Sequence, residues 1–373
     1  MNKMKVRLIG LLVLVCCKQY AFAQIDNSVL TQNININETD SGKAGFNINV
    51  LNYMRNTEYF NRIELGRTLF GYQVNPSVSY QINKHFKIQG GIFARNDFGG
   101  DEVYTQLLPT FTLKTNYHNF QMLFGTLEGA ASHRIIEPMF DIARVIEHRV
   151  ENGFQLKYKS NQTFFDTWIN WEKFIERNSP HKEKFTAGLN YMRLVTPQLN
   201  KFKCTLIGQG MISHAGGQID KDTINPFTMQ MNYAVGAKLG YDLRKNENIS
   251  IDFYKLFYSE TSSSGLWPFE KGDAFYTNFT YQYQGFNIVL SYFYGMNYLA
   301  PRGTAIYQSQ SIDVPTRFES KRELFIPRLI YNKTIFNELQ MSARFEPVID
   351  LNTNLFDYSY SFYLSYQLEK IFK

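Results

Sequence analysis

Two short stretches carry most of the side chains that could do chemistry. In the first, Glu137, Asp141, Arg144 and His148 recur at spacings of three and four, and Met139, Ile142, Val145 and Ile146 do the same beside them. This is the pattern of an amphipathic helix opening at Pro138, a residue suited to a first helical turn. Its apolar face needs a surface to cover. Its charged stripe, with acids and bases opposed, would set a transverse field and line a constriction if the segment folds into a pore. In the second stretch, Asp166, Trp168, Asn170 and Glu172 alternate with Phe165, Thr167, Ile169 and Trp171. An indole beside carboxylate and amide groups can stack on a sugar ring while its neighbours bind hydroxyls. The plainer alternative is an interfacial tryptophan among ordinary polar neighbours.

Catalytic and metal-binding signatures are not what the histidines offer. The six lie at positions 85, 118, 133, 148, 181 and 214, and none sits in a hydrolase or zinc motif. His133 and Glu137 have the i, i+4 spacing of helical metal ligands, but a single pair at that spacing reads as a solvated helix face. No catalytic residue, metal or cofactor is therefore expected. A scattered Ser/His or Asp/His set on a barrel wall, making the chain a membrane-embedded hydrolase, stays as the third functional reading.

The elements that must position these residues are strands. From Met229 to Leu243, apolar Met229, Met231, Tyr233, Val235, Leu239 and Tyr241 alternate with small or polar residues, which places one apolar row on one face. The pattern recurs at Phe275 to Tyr283, Phe286 to Tyr294, Leu339 to Phe345 and Tyr358 to Leu368. Aromatics make up 16% of the chain while mean hydropathy is only -0.31, so apolar surface is plentiful without a long apolar run. Sixteen candidate strands follow, the first near residue 45 and the last near residue 357, with fourteen to eighteen as the range. Short connections, as at Asn83 to His85 and Gln284 to Gly285, alternate with long ones, as at Glu128 to Arg149 and Asn297 to Arg322.

That alternation predicts an all-β fold, a transmembrane antiparallel β-barrel with N- and C-termini periplasmic and its long loops outside. Hydrocarbon offers no partner to an unpaired backbone group, so the sheet must close. Tyr283, Phe286, Tyr294 and Tyr358 near strand ends suit interfacial girdles. The first two segments alternate more weakly, and Arg193 and Lys255 fall on the outward row. Arg193 sits at a strand end, where its stem can snorkel, and Lys255 marks a bulge or a wrong phase.

Ahead of the barrel, Lys3, Lys5 and Arg7 precede an apolar run from Leu8 to Cys17, and Ala21-Phe22-Ala23 supplies a cleavage site. Residues 1–23 read as a cleaved signal peptide, residues 24–43 as an Asn-rich periplasmic segment, and residues 44–373 as the barrel. Cleavage removes four bases and no acids, taking the net charge from +6 to +2, which gives no basis for nucleic-acid binding. Cys204 alone remains, so no internal disulfide forms.

Signal sequence, alternating segments and a long fifth-to-sixth connection together make the chain resemble Gram-negative outer-membrane porins of the general and phosphate types. The stretch Leu364, Tyr366, Leu368, Phe372 is similar to the signal read by barrel-assembly machinery. The resemblance implies a cell outer membrane location and passive diffusion of small solutes, with the long loop folded inward so that Glu137, Asp141, Arg144 and His148 form the constriction. The alternative is a binding or structural barrel whose loops engage glycan or protein. Residues 24–43 are too short for the plug of a large energised transporter. On the phase above, Arg95, Asp166, Trp168, Asn170, Glu172, Lys238, Arg328, Arg344 and Glu346 line the lumen, where bases outnumber acids and favour anions mildly. The implied partners are outer-membrane lipid, the barrel-assembly machinery and small solutes of the saccharide or anion class, with a homotrimer as one assembly state.

Overall fold

The computed structural model describes residues 25–372 apart from residue 263, so the expected signal peptide, residues 1–23, lies outside the described residues. Sixteen strands carry the fold. They are β1 (Lys43–Glu58), β2 (Thr68–Gln81), β3 (Phe86–Asp97), β4 (Gln106–Tyr117), β5 (Phe120–Thr126), β6 (Asn152–Lys159), β7 (Thr163–Lys173) and β8 (Glu183–Leu194). The second half continues with β9 (Phe202–Gly216), β10 (Thr228–Arg244), β11 (Glu247–Glu260), β12 (Lys271–Tyr283), β13 (Phe286–Met296), β14 (Lys321–Thr334), β15 (Leu339–Asp350) and β16 (Leu355–Ile371). Each pairs antiparallel with its neighbours in sequence, and β1 pairs with β16 from Gly45↔Ile371 to Glu58↔Tyr358, which closes the barrel. Closure leaves no sheet edge among the strands.

Period-two alternation decides which row faces which way. The outward row is apolar, with Val78, Ile92, Phe111, Phe124, Leu206, Val235, Phe279 and Phe362 all exposed, as a surface that meets hydrocarbon requires. The inward row is polar and buried. Lys255 sits on the outward row with its register unbroken, so neither a bulge nor a wrong phase explains it; it forms an ion pair with outward-facing Asp273 on the next strand. Arg193, also outward, donates to Thr163 Oγ1 at 2.5 Å. One end of the barrel carries tight turns. Between β12 and β13, Gln284 and Gly285 both have positive φ, 46° and 91°, the two-residue turn whose twist matches a hairpin.

The lumen is not empty. Residues 25–42 lie inside the barrel at the short-turn end. Their backbone oxygens accept from inward side chains, Asp26 O from Asn332 Nδ2 at 3.1 Å, Thr31 O from Gln367 Nε2 at 2.6 Å and Asn35 O from Lys87 Nζ at 2.9 Å. Val29 and Leu30 are buried there. Residues 127–151 and 297–320 fill the other half, with Ile136, Met139, Val145, Ile146, Tyr298 and Tyr307 all buried. The two loops brace one another, since Tyr298 Oη donates to Pro138 O at 3.2 Å and Asp141 N to Arg302 O at 2.7 Å.

Candidate functional site

The β5–β6 loop is where the sequence reading placed a helix. The structure keeps its inward path but shortens its helices to α1 (Ala130–His133) and α2 (Arg144–Glu147), with turns between. Wall side chains take over the bonds a helix would have made. Gln73 on β2 donates to Val145 O at 3.1 Å and Ile146 O at 2.7 Å, Asn190 on β8 to His133 O at 2.9 Å, and Gln209 on β9 accepts from Ile136 N at 3.0 Å. With anchors on β2 and on β8 and β9, the loop crosses the lumen.

On this loop His133, whose spacing to Glu137 read as a solvated helix face, is instead fully buried. Nδ1 lies 2.9 Å from Asp166 Oδ2 and Nε2 lies 2.8 Å from Glu151 Oε2, and the ring stacks on Trp168 with centroids 3.6 Å apart. Both ring nitrogens face carboxylate oxygens, a geometry that suits the imidazolium, a donor at both nitrogens. Burial alone would lower the pKa of His133, but Glu151 and Asp166 outweigh burial and raise it. Trp168 therefore offers its face to His133 and not to a sugar.

The other candidates are dispersed over separate ion-pair groups. Glu137 is bonded to Arg328 Nη2 at 2.7 Å, and Arg328 Nε reaches Glu346 at 3.0 Å. Burial pushes the Glu137 carboxyl upward against the pull of Arg328. Asp141 accepts from Thr304 Oγ1 at 3.2 Å and from Ala143 N at 2.9 Å. Arg144 lies 3.7 Å from Glu172, which also takes Arg302 Nη2 at 2.5 Å, while His148 is exposed. Arg95 is bonded to Asp97, Asn170 accepts from Asn152 N, Arg344 donates to Asn27, and Lys238 faces Asp252 across the β10–β11 register. All nine lumen candidates lie on inward rows, and Glu137, Asp141 and Arg144 share the loop without meeting at a common point.

A different group stands on the outside of the barrel, at the rim with the long loops. Across β16, β1 and β2, Tyr360, Asn56 and Thr68 share one register line on the outward row, with Glu58 one step nearer the rim. The Asn56 carboxamide ties them together. Its Oδ1 accepts from Thr68 Oγ1 at 2.7 Å, and its Nδ2 donates to Glu58 Oε1 at 2.6 Å and to Tyr360 Oη at 3.1 Å. A carboxylate in such a group can take a proton from water, and a hydroxyl beside it can donate to a developing oxyanion. Sequence reasoning passed over it, although the signal was present. On β1 the outward row runs Phe46, Ile48, Val50, Asn52 and Met54 and ends polar at Asn56 and Glu58.

A profile of the lipid A 3'-O-deacylase-type family matches residues 36–373. Comparison with curated proteins finds no match. Among solved structures, the outer membrane protein OprD from Pseudomonas aeruginosa superposes with a TM-score of 0.51 at 8% identity, covering 90% of this chain and 97% of its own. OmpT of Vibrio cholerae, folded in vitro, gives 0.52 at 10% identity over 90% and 100%. Its trimer form gives 0.50 at 11% identity over 88% and 100%. Identities this low speak for the fold alone, a closed barrel of the outer-membrane type. With the profile spanning the whole barrel, the chain belongs to the lipid A 3'-O-deacylase-type family.

Proposed function

We propose that the protein is an outer-membrane ester hydrolase acting on an acylated sugar lipid of the lipid A class, with its reaction site at Asn56, Glu58, Thr68 and Tyr360. In this reading both termini are periplasmic and the long loops face outside the cell. The observation that carries it is the position of the polar group, on the row that meets lipid and at the rim where a lipid headgroup would lie. A loop-crossed lumen offers a membrane lipid no route, whereas the outward row is reached by lateral diffusion. Glu58 takes a proton from water as the water oxygen adds to the acyl carbon, and Tyr360 Oη donates to the oxyanion that forms. The bond from acyl carbon to sugar oxygen then breaks, and the sugar oxygen takes the proton back from Glu58. A free fatty acid and a sugar hydroxyl result.

The test is fatty-acid release from lipid A in mixed vesicles containing the folded protein, followed by mass spectrometry. Glu58→Gln should lower the rate by about 10²-fold or more, the scale of a lost general base, with Tyr360→Phe lowering it less. A parent that releases no fatty acid, or a Glu58→Gln variant as fast as the parent, overturns the reading.

A second reading, a passive channel narrowed by Glu137, Asp141, Arg144 and His148, is favoured by the opposed charges of Arg144, Glu172 and Arg302 next to exposed His148. Under it, the parent gives stepwise conductance in planar bilayers, deletion of residues 133–148 enlarges the step, and Arg144→Glu moves selectivity toward cations. A folded but silent parent removes it.

A further inference from the structure

Every strand of the barrel has a strand on each side, but not along its whole length. β5 and β6 run for 7 and 8 residues, whereas their neighbours β4 and β7 run for 12 and 11. β4 is paired with β5 only from Thr112 to Tyr117, so toward the long-loop end its residues 107–111 have β3 on one side and, among the described residues, no strand on the other. β7 likewise extends beyond its last pair with β6, at Asn170. Gly125 marks the departure. Its φ of 97° turns β5 from the wall at a point where a Cβ would stand 2.2 Å from Phe111 O. The two segments then go on side by side into the lumen, Leu127 N donating to Glu151 O at 2.8 Å. They leave behind them a notch in the wall, about 14 Å across from β4 to β7 and about 17 Å deep along β4, at roughly 4.8 Å between strands and 3.4 Å a residue.

The notch is finished as a surface that meets hydrocarbon. At its floor Phe111 N donates to Thr126 Oγ1 at 3.2 Å, Thr126 Oγ1 to Asn152 Oδ1 at 3.0 Å, and Asn152 N to Asn170 Oδ1 at 2.9 Å. Two residues along the open edge, where the next backbone donor would point the same way, stands Pro109, which has none. An edge exposed to lipid needs that treatment, and an edge so treated is a poor template for a further strand. Outward Leu107, Phe111 and Phe124, all exposed, carry the apolar row of the wall up to the notch. On its far side Trp171 stacks on Phe185 and Phe185 on His214, with centroids 5.5 and 4.5 Å apart, an aromatic line suited to the level where hydrocarbon meets headgroups. Leu108 is the telling residue. It lies on the inward row opposite Phe93, yet it is 39% exposed where Phe93 is 2% exposed. The limb carrying Leu127 and Val150 stands behind β4, lining a small cavity together with Thr110, so the notch is a recess backed by the crossing loop.

We propose that this notch seats an acyl chain of a lipid from the leaflet at the long-loop end, lying along the open edge of β4 with Leu107 and Leu108 on one side and Trp171 on the other. A strand from a second chain would gain few bonds from an edge that holds Pro109 and a capped Phe111. Water would leave Leu107, Leu108 and Phe111 uncovered, whereas an acyl chain continues the hydrocarbon that the outward row already meets. The seat is separate from the outward polar group and holds whether or not that group cleaves esters.

The experiment places the folded full chain in phosphatidylcholine vesicles whose lipid carries a diazirine at mid-chain, and maps the adducts on peptides after irradiation. Adducts on inward Leu108 and on Val150 are expected beside those on outward Leu107 and Phe111. Adducts confined to outward residues overturn the proposal. A second measurement attaches bimane to Leu108→Cys, Ile92→Cys and Gln89→Cys in a Cys204→Ser background, with heat-modifiability on gels as the folding check, and quenches it with lipid brominated at mid-chain. Ile92 is outward and exposed, and Gln89 is inward and part-buried. Quenching at Leu108 should come within about twofold of that at Ile92 and exceed that at Gln89 about fivefold, since bromine acts near contact range. Quenching at Leu108 no greater than at Gln89 overturns the seat. Iodide reaching the Leu108 label while brominated lipid does not would make the notch a wet rim. Disulfide-linked dimers of Leu107→Cys that shield Leu108 from lipid would fill it with a second copy. Either result overturns the proposal.

Discussion

Replacing His133 by Ala is the sharpest perturbation of the loop that crosses the barrel. The side chain is 0% exposed, and its two partners are buried almost as completely, Asp166 at 0% and Glu151 at 1%. Removing the imidazolium leaves two carboxylates in a dry site. Gln155 Nε2 still donates to Asp166 Oδ1 at 2.9 Å, and the charges of Arg134, Arg144 and Arg149 still reach the two acids, but the ring that joined them is gone. Breaking a buried ion pair by deleting one partner costs about 3–5 kcal/mol, and losing the stack on Trp168 adds about 0.5–1.5 kcal/mol. A loss of about 3.5–6.5 kcal/mol is therefore expected. Adding Glu151→Gln and Asp166→Asn to His133→Ala should restore most of it, because the uncompensated charges disappear with the acids. Urea unfolding in detergent micelles gives the midpoint, and limited proteolysis within residues 127–151 reports on the loop. A His133→Ala protein that unfolds within about 1 kcal/mol of the parent and keeps the loop protected would refute the clamp.

The same clamp fixes a pH dependence. A base whose folded pKa is raised contributes stability that is complete below its unfolded value of about 6.5 and is lost as pH rises through the raised folded value. Since His133 is raised, parental stability should be greatest on the acidic side of neutrality and decline above it. His133→Gln should flatten that decline. A parent whose stability rises steadily with pH across the neutral range would contradict the assignment of an imidazolium.

Gly188 lies opposite Trp168 in the β7–β8 register, and a Cβ there would stand 2.2 Å from the indole carbons Cη2 and Cζ2, so Gly188→Ala should cost about 1–3 kcal/mol and shift Trp emission, read by urea unfolding. Outward Leu239 and inward Lys238 are adjacent on β10. Leu239→Arg should destabilise by about 2–4 kcal/mol near the hydrocarbon midplane, with Lys238→Arg nearly silent in a heat-modifiability assay. Glu128→Gln leaves Lys114 and Lys157 buried without a carboxylate and should cost about 3–5 kcal/mol in the same unfolding assay.

The barrel was legible because its physics is period two. An outward row that meets hydrocarbon must be apolar on nearly every strand, so the first and last segments, near 45 and 357 in the sequence reading, meet strands that begin at Lys43 and Leu355. The inward loop announced itself through a helical pattern, yet the pattern overstated the helix. Asp141 N bonds to Arg302 O and Asp141 Oδ1 caps Ala143 N, so side chains and a second loop satisfy backbone groups that isolated periodicity assigns to a helix. Trp168 is buried on the inward row, and periodicity says nothing about which distant residue will cover an inward ring. The outward polar group was visible only as weak alternation in β1. Polar residues in an otherwise apolar row read as a poor strand when strands are being sought, and as a site once strand pairing brings Tyr360 and Thr68 to Asn56.

That pairing also shows how the lumen can serve the outer wall. Asn56 and Thr68 face outward, while their chain neighbours Thr57 and Arg67 form the last closure of the β1–β2 rim. Thr57 N donates to Arg67 O at 2.9 Å, and Arg67 N donates to Thr57 Oγ1 at 2.8 Å. The Arg67 guanidinium then reaches α2, with Nη1 and Nη2 donating to the two Glu147 oxygens at 2.6 and 2.8 Å. A two-point pair of planar groups fixes orientation as well as distance. The loop anchored by His133 thus sets the rim that presents the outward group. Arg67→Gln removes the fork while leaving Asn56, Glu58, Thr68 and Tyr360 unchanged. The pair is part-exposed, so the stability cost should stay within about 1 kcal/mol. A displacement of the rim by a fraction of an ångström should still lower the rate of fatty-acid release about tenfold, through kcat with KM little changed, given that misplacement by about 1 Å costs up to about 10²-fold. Glu147→Gln should act in the same direction and more weakly, because one oxygen still accepts. If folded Arg67→Gln releases fatty acid from lipid A vesicles at the parental rate while Glu58→Gln does not, the outward group works without the loop, and the loop's function lies wholly inside the barrel.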